Sequence, residues 1–300
     1  LLEDGGNVAP PVNPKTGRRL SGTEILSLRE LDGFDHFFND VSEGAKLMGI
    51  GDLTITTEAG VGQFEVTMTH GPALHIADNV ILLKELIKGT ARNHGMAATF
   101  MAKPFSDESG NGLHTHFSVI NQAGENIFCS QDKLQSAVAG CLEAFEASTL
   151  FFAPYVNSFE RFVAGAHAPT SATWGYENRT VAMRIPSGPK AATRIEHRVA
   201  GGDANPYLLF AAIFGAALEG IERNSVPPAP IEGNAYEHPA QLPGLLPDLS
   251  AAIEGLEAPL LEQFMPPLIL ENLAATKSQE RDLFDKLSDH DALMALIDTA

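Results

Sequence analysis

Arginine is concentrated in the middle of this chain. Five of its 11 arginines fall within residues 161–198, at Arg161, Arg179, Arg184, Arg194 and Arg198. Only two acidic residues, Glu177 and Glu196, share that stretch, although the whole chain carries a formal net charge of -18. A single arginine is most often part of a surface salt bridge. Five together in an acidic protein predict a site for an anionic ligand, either a phosphate or a carboxylate.

Two histidines alternate with apolar residues further towards the N-terminus. The alternation predicts a strand over residues 113–120, with one apolar face that packs on the core. The opposite face carries His114, His116 and Ser118. The loop Gly110-Asn111-Gly112 comes just before this strand and leaves room for a ligand to approach the backbone. The alternative is an exposed edge strand whose histidines have no role.

A second alternating segment carries charges. In residues 194–198 the period of two puts Arg194, Glu196 and Arg198 on one face of a strand. A charged sheet surface with cross-strand ion pairs has the same pattern. Because Glu196 is the lone acid between two arginines, we favour a carboxylate that holds a metal ion beside a bound phosphate.

Two glutamates flank a connection that contains two glycines. Glu58 directly follows the strand-like segment 53–57, and Glu65 lies within the strand-like segment 63–69. A tight hairpin would bring their carboxylates onto neighbouring strands, close enough to share a cation. The alternative is that both are simply solvated, which is common for glutamates in hairpins.

Several nucleotide-binding and catalytic motifs are absent from the sequence. It has no G-x-x-x-x-G-K-[ST] phosphate loop, no G-x-G-x-x-G after a strand and no serine in a nucleophile elbow. If the chain binds a nucleotide, carboxylate-held Mg²⁺ and arginine side chains must hold the phosphates.

The elements that must position these residues alternate irregularly. We predict helices over residues 35–48, 77–94, 131–152 and 205–222. Strands are predicted over residues 53–57, 63–69, 97–102 and 113–120. Residues 1–33 and 225–248 have the composition of long loops, and the last fifty residues that of short peripheral helices. A hairpin within this irregular order favours an α+β fold over a doubly wound parallel sheet.

The composition limits the kinds of partner. Hydrophobic residues make up 44% and charged residues 19%, as in ordinary soluble domains. The net charge argues against binding to nucleic acid or to anionic membranes. We expect no signal peptide, and the longest apolar run, residues 208–218, is too short to span a bilayer. With only Cys129 and Cys141, the chain suggests a reducing compartment, so we expect a cytoplasmic protein.

These pieces occur in an order that resembles the catalytic domain of glutamine synthetase over almost the whole chain. The matching segments are Glu58–Glu65, Phe100–Pro104, Gly110–His116, Asn157–Arg161, Asn178–Arg179, Arg184–Pro186, Arg194–Arg198 and Ala204–Pro206. The likeness is closer to the γ-glutamylputrescine synthetase-like γ-glutamyl-amine ligases than to the ammonia-using enzymes. It implies one catalytic domain over residues 1–300, with a largely antiparallel curved sheet and flanking helices.

The resemblance also implies a role for each candidate residue. The implied ligands of two Mg²⁺ or Mn²⁺ ions are Glu58 and Glu65 for the first, and His114 and Glu196 for the second. The implied glutamate-binding residues are Gly110, Asn111, His114, Arg161 and Arg198. The implied ATP-binding residues are His116, Ser118, Arg179, Arg184 and Arg194. The implied catalytic residues are Arg179, Arg198 and His167.

The implied reaction joins glutamate to an amine through γ-glutamyl phosphate, with ATP as co-substrate. Ammonia-using members have a glutamate six positions after the arginine that matches Arg161, and this chain has His167 there. A histidine attracts a cation poorly but can act as a base, so we expect an amine or polyamine larger than ammonia. The alternatives are an ordinary glutamate–ammonia ligase and a non-catalytic relative.

The family's N-terminal β-grasp domain and its Glu-x-Glu strand have no counterpart in the chain, which starts at Leu1. We therefore expect this 300-residue piece to bind Mg²⁺ and ATP weakly and to turn over little. For the full-length protein, the resemblance implies a ring-forming homo-oligomer.

Overall fold

The computed structural model describes residues 2–4, 7–22, 24–163, 168–237 and 243–299. The chain divides into two units. The first unit comprises residues 1–100, 104–109 and 297–300, and the second comprises residues 101–103 and 110–296. No helix in the described ranges is long and apolar enough to cross a membrane.

A hairpin and three helices make up most of the first unit. Its elements are β1 (Leu2–Asp4), β2 (Asn7–Ala9), α1 (Leu28–Gly33), α2 (Asp35–Leu47), β3 (Leu53–Thr57), β4 (Phe64–Met68) and α3 (Ala73–Asn93). β3 and β4 pair antiparallel with Thr57 opposite Phe64, which confirms the predicted hairpin. The predicted loop over residues 1–33 is wrong in part, because it contains β1, β2 and α1.

An aromatic cluster holds this hairpin against α2. The ring of Phe64 lies edge-on to those of Phe34 and Phe38, with centroids 5.3 and 4.8 Å apart. Leu83 and Ile87 of α3 belong to the same buried core. Buried aromatic rings contribute a large apolar area together with a preferred geometry, so they give the hairpin a fixed backbone.

The second unit is built around one sheet. The remaining elements of the chain are β5 (Thr115–Phe117), α4 (Gln131–Glu143), α5 (Thr149–Phe152), β6 (Trp174–Tyr176), β7 (Met183–Ile185), β8 (Ile195–His197), α6 (Pro206–Arg223), α7 (Leu249–Glu254), α8 (Pro267–Phe284) and α9 (Asp289–Thr299). The strand order is β5–β8–β7–β6, antiparallel except for the β7–β6 pair. Together with the helices, this sheet confirms an α+β fold.

Helix α6 begins where the sequence predicts. The side chain of Asn205 caps it by accepting hydrogen bonds from two backbone N–H groups, and Pro206 occupies the first turn. α6 packs closely on α4 through two glycines. A Cβ at Gly140 would lie 2.0 Å from the carbonyl oxygen of Ala216, so only glycine permits this helix crossing.

Four predicted elements differ from the structure. The helix over residues 131–152 is interrupted, because a run of turns separates α4 from α5. Residues 97–102 form no strand, since the carbonyl of Ala102 accepts a hydrogen bond from the N–H of Asn111 in the neighbouring loop instead of joining a ladder. Of the predicted strand over residues 113–120, only β5 forms a strand of the sheet. The C-terminal helices are not all short, since α8 has 18 residues.

Candidate active site

A row of three polar side chains crosses the sheet of the second unit. His116 on β5 lies directly opposite Glu196 on β8, and Glu196 lies directly opposite Arg184 on β7. Side chains that face each other across neighbouring strands point to the same side of a sheet. The three strands therefore present an imidazole, a carboxylate and a guanidinium in one line, called here the Glu196 row.

Glu196 is the buried centre of this row, with 3% of its surface exposed. Its Oε2 accepts a hydrogen bond from Arg184 Nη1 at 2.8 Å, and its Oε1 accepts one from Arg198 Nη1 at 2.6 Å. Burial of a carboxylate is costly unless opposite charges and hydrogen bonds replace the lost hydration. Two guanidinium groups do so here, and Glu196 in turn fixes the positions of Arg184 and Arg198.

Two histidines approach the same carboxylate. His114 Nδ1 and His116 Nε2 lie 3.5 and 3.7 Å from Glu196 Oε1. Burial lowers the pKa of His114 well below its ordinary value, and the charge of Arg198 lowers it further. Burial also lowers the pKa of His116, whose Nδ1 accepts a hydrogen bond from Arg194 Nε at 3.2 Å. Both imidazoles are therefore neutral at pH 7.

Arg161 is buried beside this row, with 4% of its surface exposed. Its Nη1 donates to the carbonyl of Val199 at 2.6 Å, and its Nη2 donates to the carbonyl of Arg198 at 3.5 Å. Desolvation lowers the pKa of Arg161 to about 10, an effect that Asp203 opposes. The guanidinium therefore stays charged at neutral pH and is held in place by backbone carbonyls.

The glycines of the loop before β5 are needed for this packing. A Cβ at Gly110 would lie 2.8 Å from Arg161 Cγ and 2.6 Å from the carbonyl oxygen of Ala102. A Cβ at Gly112 would lie 2.8 Å from Arg161 Nη2 and 3.1 Å from His114 Nε2. Real Cβ atoms rarely approach a backbone oxygen this closely, so Gly110 can carry no side chain in this packing. A side chain at Gly112 would push on the ends of the Arg161 and His114 side chains.

Asn111 holds the shape of this loop. Its Nδ2 donates to the carbonyl of Met101 at 2.7 Å, and its backbone N–H donates to the carbonyl of Ala102 at 2.8 Å. These bonds tie the loop to the segment that precedes it along the chain. The predicted contact between Asn111 and glutamate stays a prediction.

Two residues that the sequence analysis did not single out support Arg161. The Oγ of Ser158 donates to Oδ2 of Asp203 at 2.5 Å, and both residues are buried. Ser158 belongs to the 3₁₀ helix Val156–Arg161, so this bond anchors the short element that ends at Arg161. Ser158 occurs in a segment that carries the family resemblance, and Asp203 lies just before α6. Nothing in the spacing of these two residues along the sequence indicates that they pair.

The other predicted phosphate ligands are less buried. Arg194 is half-buried and reaches the row through His116. Arg179 is exposed in the turn between β6 and β7, and Ser118 is exposed just after β5. Within the described ranges, no hydrogen bond or ion pair joins Arg179 or Ser118 to the Glu196 row. His167 lies outside the described residues.

The two hairpin glutamates belong to the first unit. The N–H of Glu58 donates to the carbonyl of Gln63 at 2.9 Å, and Glu65 lies opposite Thr56. Glu58 directly follows β3, and this register makes it a diagonal neighbour of Glu65 on one face of the hairpin. The hydroxyl of Thr67 donates to Glu65 Oε1 at 3.1 Å. Their role as metal ligands stays a prediction.

The donors around Glu196 suit a divalent cation. The 3.5 Å between His114 Nδ1 and Glu196 Oε1 is longer than most hydrogen bonds. It fits two ligands of one cation, since bonds of about 2.0–2.2 Å put neighbouring ligands roughly 3–4 Å apart. The neutral imidazole has a lone pair for a metal. Across the described part of the chain, no three or more His, Cys, Asp or Glu side chains form a complete metal site. By themselves, His114 and Glu196 would supply only part of a ligand set, and their role as metal ligands stays a prediction.

Comparison with known proteins identifies the family. A model of the glutamine synthetase catalytic domain matches residues 3–293 of the chain. The chain belongs to this family. The catalytic-domain match extends over both the Glu196 row and the hairpin that carries Glu58 and Glu65.

Relatives in the glutamine synthetase family include enzymes with different amine substrates in their names. Over 288 residues, the chain is 36% identical to the γ-glutamylputrescine synthetase PuuA of Escherichia coli, covering 94% of this chain and 61% of that protein. It is 35% identical to a glutamate–isopropylamine ligase of a Pseudomonas species, covering 72% of this chain and 48% of that protein. It is 36% identical to the glutamine synthetase of Methanocaldococcus jannaschii, covering 91% of this chain and 63% of that protein.

Solved structures of the protein GmaS share the fold. Its ligand-free form superimposes with a TM-score of 0.83, and its ADP complex with a TM-score of 0.84, both at 29% sequence identity. Each match covers 96% of this chain and 68% of GmaS. The chain therefore spans about two thirds or less of the length of these relatives.

Proposed function

We propose that the protein is an ATP-dependent ligase that joins the γ-carboxylate of glutamate to an amine through γ-glutamyl phosphate. The observation that carries the proposal is the surroundings of Glu196, where one buried carboxylate fixes Arg184 and Arg198 beside two neutral imidazoles. The names of the E. coli and Pseudomonas relatives support it. Because the chain spans only part of those proteins, the proposal concerns the whole protein.

Glutamate is proposed to bind at Arg161 and the loop that contains Gly110 and Asn111. Arg161 is buried, charged at neutral pH and fixed by two backbone carbonyls. A guanidinium held in this way binds a carboxylate with little further loss of conformational freedom. The missing side chain at Gly110 lets a substrate approach the loop backbone.

Phosphoryl transfer is proposed to depend on the arginines bonded to Glu196. The γ-carboxylate is already a nucleophile, so its attack on the terminal phosphorus of ATP needs no base. The barrier falls when the reactants are aligned and the charge on the equatorial oxygens is neutralised. Arg184 and Arg198 provide fixed positive charge for this purpose, and we assign Arg179 and Arg194 to the same phosphates.

Mg²⁺ or Mn²⁺ is the proposed cofactor. His114 and Glu196 would hold one ion, and the hairpin residues Glu58 and Glu65 would hold another. When bound, such ions neutralise phosphate charge and orient the phosphate and carboxylate oxygens. The carboxylate of Glu196 keeps lone pairs for this role, because each oxygen accepts one hydrogen bond from an arginine.

The amine completes the proposed reaction. Its nitrogen attacks the carbonyl carbon of γ-glutamyl phosphate, phosphate leaves with the bridging oxygen, and a base takes the proton from the nitrogen. We assign that base to His167 on the sequence argument alone. We also retain a cytoplasmic location and a ring-forming homo-oligomer as expectations for the whole protein.

An ordinary glutamate–ammonia ligase is the second candidate. It is favoured by the 36% identity to the M. jannaschii glutamine synthetase over 91% of this chain. The two candidates share the activation of glutamate and differ only in the nucleophile.

An amine panel tests the proposal. Full-length protein containing this chain is incubated with glutamate, ATP, Mg²⁺ and one of ammonia, methylamine, isopropylamine or putrescine, and phosphate and the γ-glutamyl amide are quantified. Amine-dependent release with higher kcat/KM for an organic amine than for ammonia supports the proposal. Higher kcat/KM for ammonia supports the second candidate, and no release with any amine rejects both.

A matched pair of arginine variants connects the activity to the site. R184A removes a charge from the Glu196 row, and we expect a loss of up to about 10³-fold in kcat, as for arginines on transferring phosphates. R223A removes an arginine paired with Glu143 on the helix surface and should retain activity.

A further inference from the structure

Lys277 is a buried cation on α8. Only 8% of its surface is exposed, although the sequence of this region has the composition of peripheral helices. Its Nζ donates to Glu280 Oε2 at 2.8 Å, so a carboxylate on the next turn of α8 balances its charge. Burial of a lysine ammonium is unfavourable unless other groups replace its hydration, and one carboxylate replaces only part of it. A second partner is therefore expected.

The second partner is the ring of Tyr155. Lys277 Nζ lies 3.9 Å from the centroid of this ring. The face of an aromatic ring carries partial negative charge, which attracts an ammonium placed over it. Because Lys277 is buried, little water competes for the ammonium, and such contacts are stronger when they are desolvated. The contact therefore joins α8 to the segment that contains Tyr155.

Tyr155 is the residue that precedes the 3₁₀ helix Val156–Arg161. Its N–H donates to Ser158 Oγ at 3.0 Å, and its carbonyl accepts a hydrogen bond from the N–H of Ser158, also at 3.0 Å. The same Ser158 Oγ donates to Asp203. The backbone of Tyr155 is thus bonded to the first turn of a helix of only six residues, which ends at Arg161. A shift of Tyr155 would therefore shift this helix.

Different partners hold the two ends of this 3₁₀ helix. At its last residue, the guanidinium of Arg161 donates to two backbone carbonyls. Near its start, the side chain of Asn157 pairs with the backbone N–H and carbonyl of Lys103, at 3.0 and 2.8 Å. In front of the helix, Tyr155 lies against Lys277. This last contact links the helix of Arg161 to α8, which lies far along the chain.

We propose that Lys277 is a positioning residue for Arg161. Its ammonium holds the ring of Tyr155, and through Tyr155 it fixes the 3₁₀ helix that presents Arg161 to a carboxylate of glutamate. Lys277 itself contacts no substrate. The inference rests on the proposed binding of glutamate at Arg161, and it gives α8 a part in the affinity for the amino acid and none in phosphoryl transfer.

Substitution of Lys277 separates substrate affinity from turnover. In full-length protein containing this chain, K277M removes the ammonium and keeps a long side chain. We expect the KM for glutamate to rise about tenfold, as for the loss of a desolvated cation–ring contact, with the KM for ATP and kcat within about twofold of wild type. K277R keeps a cation over the ring, and its KM for glutamate should stay within about threefold of wild type. K286M, at an exposed lysine just after α8, should match wild type.

Substitutions of Tyr155 test the same contact from its other side. Y155L removes the ring and should raise the KM for glutamate as K277M does, whereas Y155F keeps the ring and should bind glutamate like wild type. The double variant K277M/Y155L should be no worse than Y155L, because both changes remove one contact. If the two effects multiply to about a hundredfold, the residues act independently and the proposal is overturned. If K277M does not fold, Y155L and Y155F decide, since Tyr155 is only partly buried.

Hydrogen exchange of the ligand-free protein tests the positioning without any turnover. The amides of Ser158 and Phe162 bond to the carbonyls of Tyr155 and Phe159, so their exchange reports on the 3₁₀ helix. K277M should speed exchange at these two amides and not at the amides of β7 and β8. Such a local loss of protection, in a wild-type background that forms no γ-glutamyl amide, supports Lys277 and rejects the ligase.

Three results overturn the role of Lys277. Unchanged exchange at the two amides shows that the 3₁₀ helix does not depend on this lysine. Faster exchange in β7 and β8 as well shows that Lys277 holds the whole second unit. In an active enzyme, an unchanged KM for glutamate, or an equal rise in the KM for ATP, shows that the contact does not act through Arg161.

Discussion

Glu196 on β8 and Arg184 on β7 face each other across one strand pair, and their side chains form an ion pair of 2.8 Å. Because both backbones belong to the same sheet, the relative position of carboxylate and guanidinium is set by strand register and not by flexible loops. Such fixed charges cost little reorganisation when a charged substrate binds.

The first prediction concerns the negative charge of Glu196, at the centre of the Glu196 row. E196Q removes the charge that Arg184 and Arg198 share, and we expect the free energy of unfolding to fall by about 3 kcal/mol, as when one partner of a buried pair is lost. Urea unfolding of the chain measures this. E177Q is the matched control, since Glu177 contacts the same Arg184 from an exposed position and should cost less than about 1 kcal/mol. Equal losses in the two variants would contradict the role given to Glu196.

The second prediction concerns the loop before β5. G110A forces a Cβ against Arg161 and the Ala102 carbonyl, so we expect glutamate-dependent kcat/KM of the full-length enzyme to fall about 10²-fold through misplacement of Arg161. G22A is the control, because nothing lies within 4 Å of a Cβ at Gly22. Wild-type kinetics in G110A would show that the loop tolerates a side chain.

The third prediction concerns the crossing of α4 and α6. G140A places a methyl group 2.0 Å from the Ala216 carbonyl oxygen, and we expect a loss of about 1–3 kcal/mol or more in urea unfolding. A methyl group added at Gly89 in α3 would meet only the far end of the Arg92 side chain, at 3.9 Å. G89A should therefore stabilise the chain by up to about 1 kcal/mol, because alanine is the better helix former. A stabilising G140A would refute the close packing.

The fourth prediction concerns pH. Burial raises the pKa of the Cys141 thiol from 9.0 to about 12. Because the folded pKa lies above the unfolded one, this group's contribution to stability is complete below pH 9 and is lost as the pH rises towards 12. At pH 8, iodoacetamide should modify the partly buried Cys129 in the folded chain and should modify Cys141 only in urea. Similar rates for both thiols without urea would contradict the burial of Cys141.

Local patterns in the sequence predict much of the site. Alternation in residues 194–198 places Glu196 between two arginines on one face, and the structure has Arg198 bonded to it. The hairpin of Glu58 and Glu65 follows from two strand-like segments around a glycine-containing connection. The cap at Asn205 and the first-turn proline define the start of α6. All these features depend on residues close together in the chain.

Features that depend on distant residues could not be predicted in this way. Arg184 pairs with Glu196 only because β7 lies beside β8, and sequence spacing does not determine strand order. Ser158 and Asp203 meet through tertiary packing over 45 positions of the chain. Residues 97–102 are apolar enough for a strand, but the loop at Asn111 takes the hydrogen bond of Ala102.

Transfer of an oxygen atom from glutamate to phosphate tests the central claim most directly. Full-length protein is supplied with ATP, Mg²⁺, the best amine of the panel and glutamate labelled with ¹⁸O in its γ-carboxylate, and the released phosphate is analysed by mass spectrometry. If γ-glutamyl phosphate forms, one ¹⁸O atom enters phosphate for each γ-glutamyl amide produced. Phosphate that is released without ¹⁸O would contradict the account, because ATP would then be cleaved without activation of glutamate.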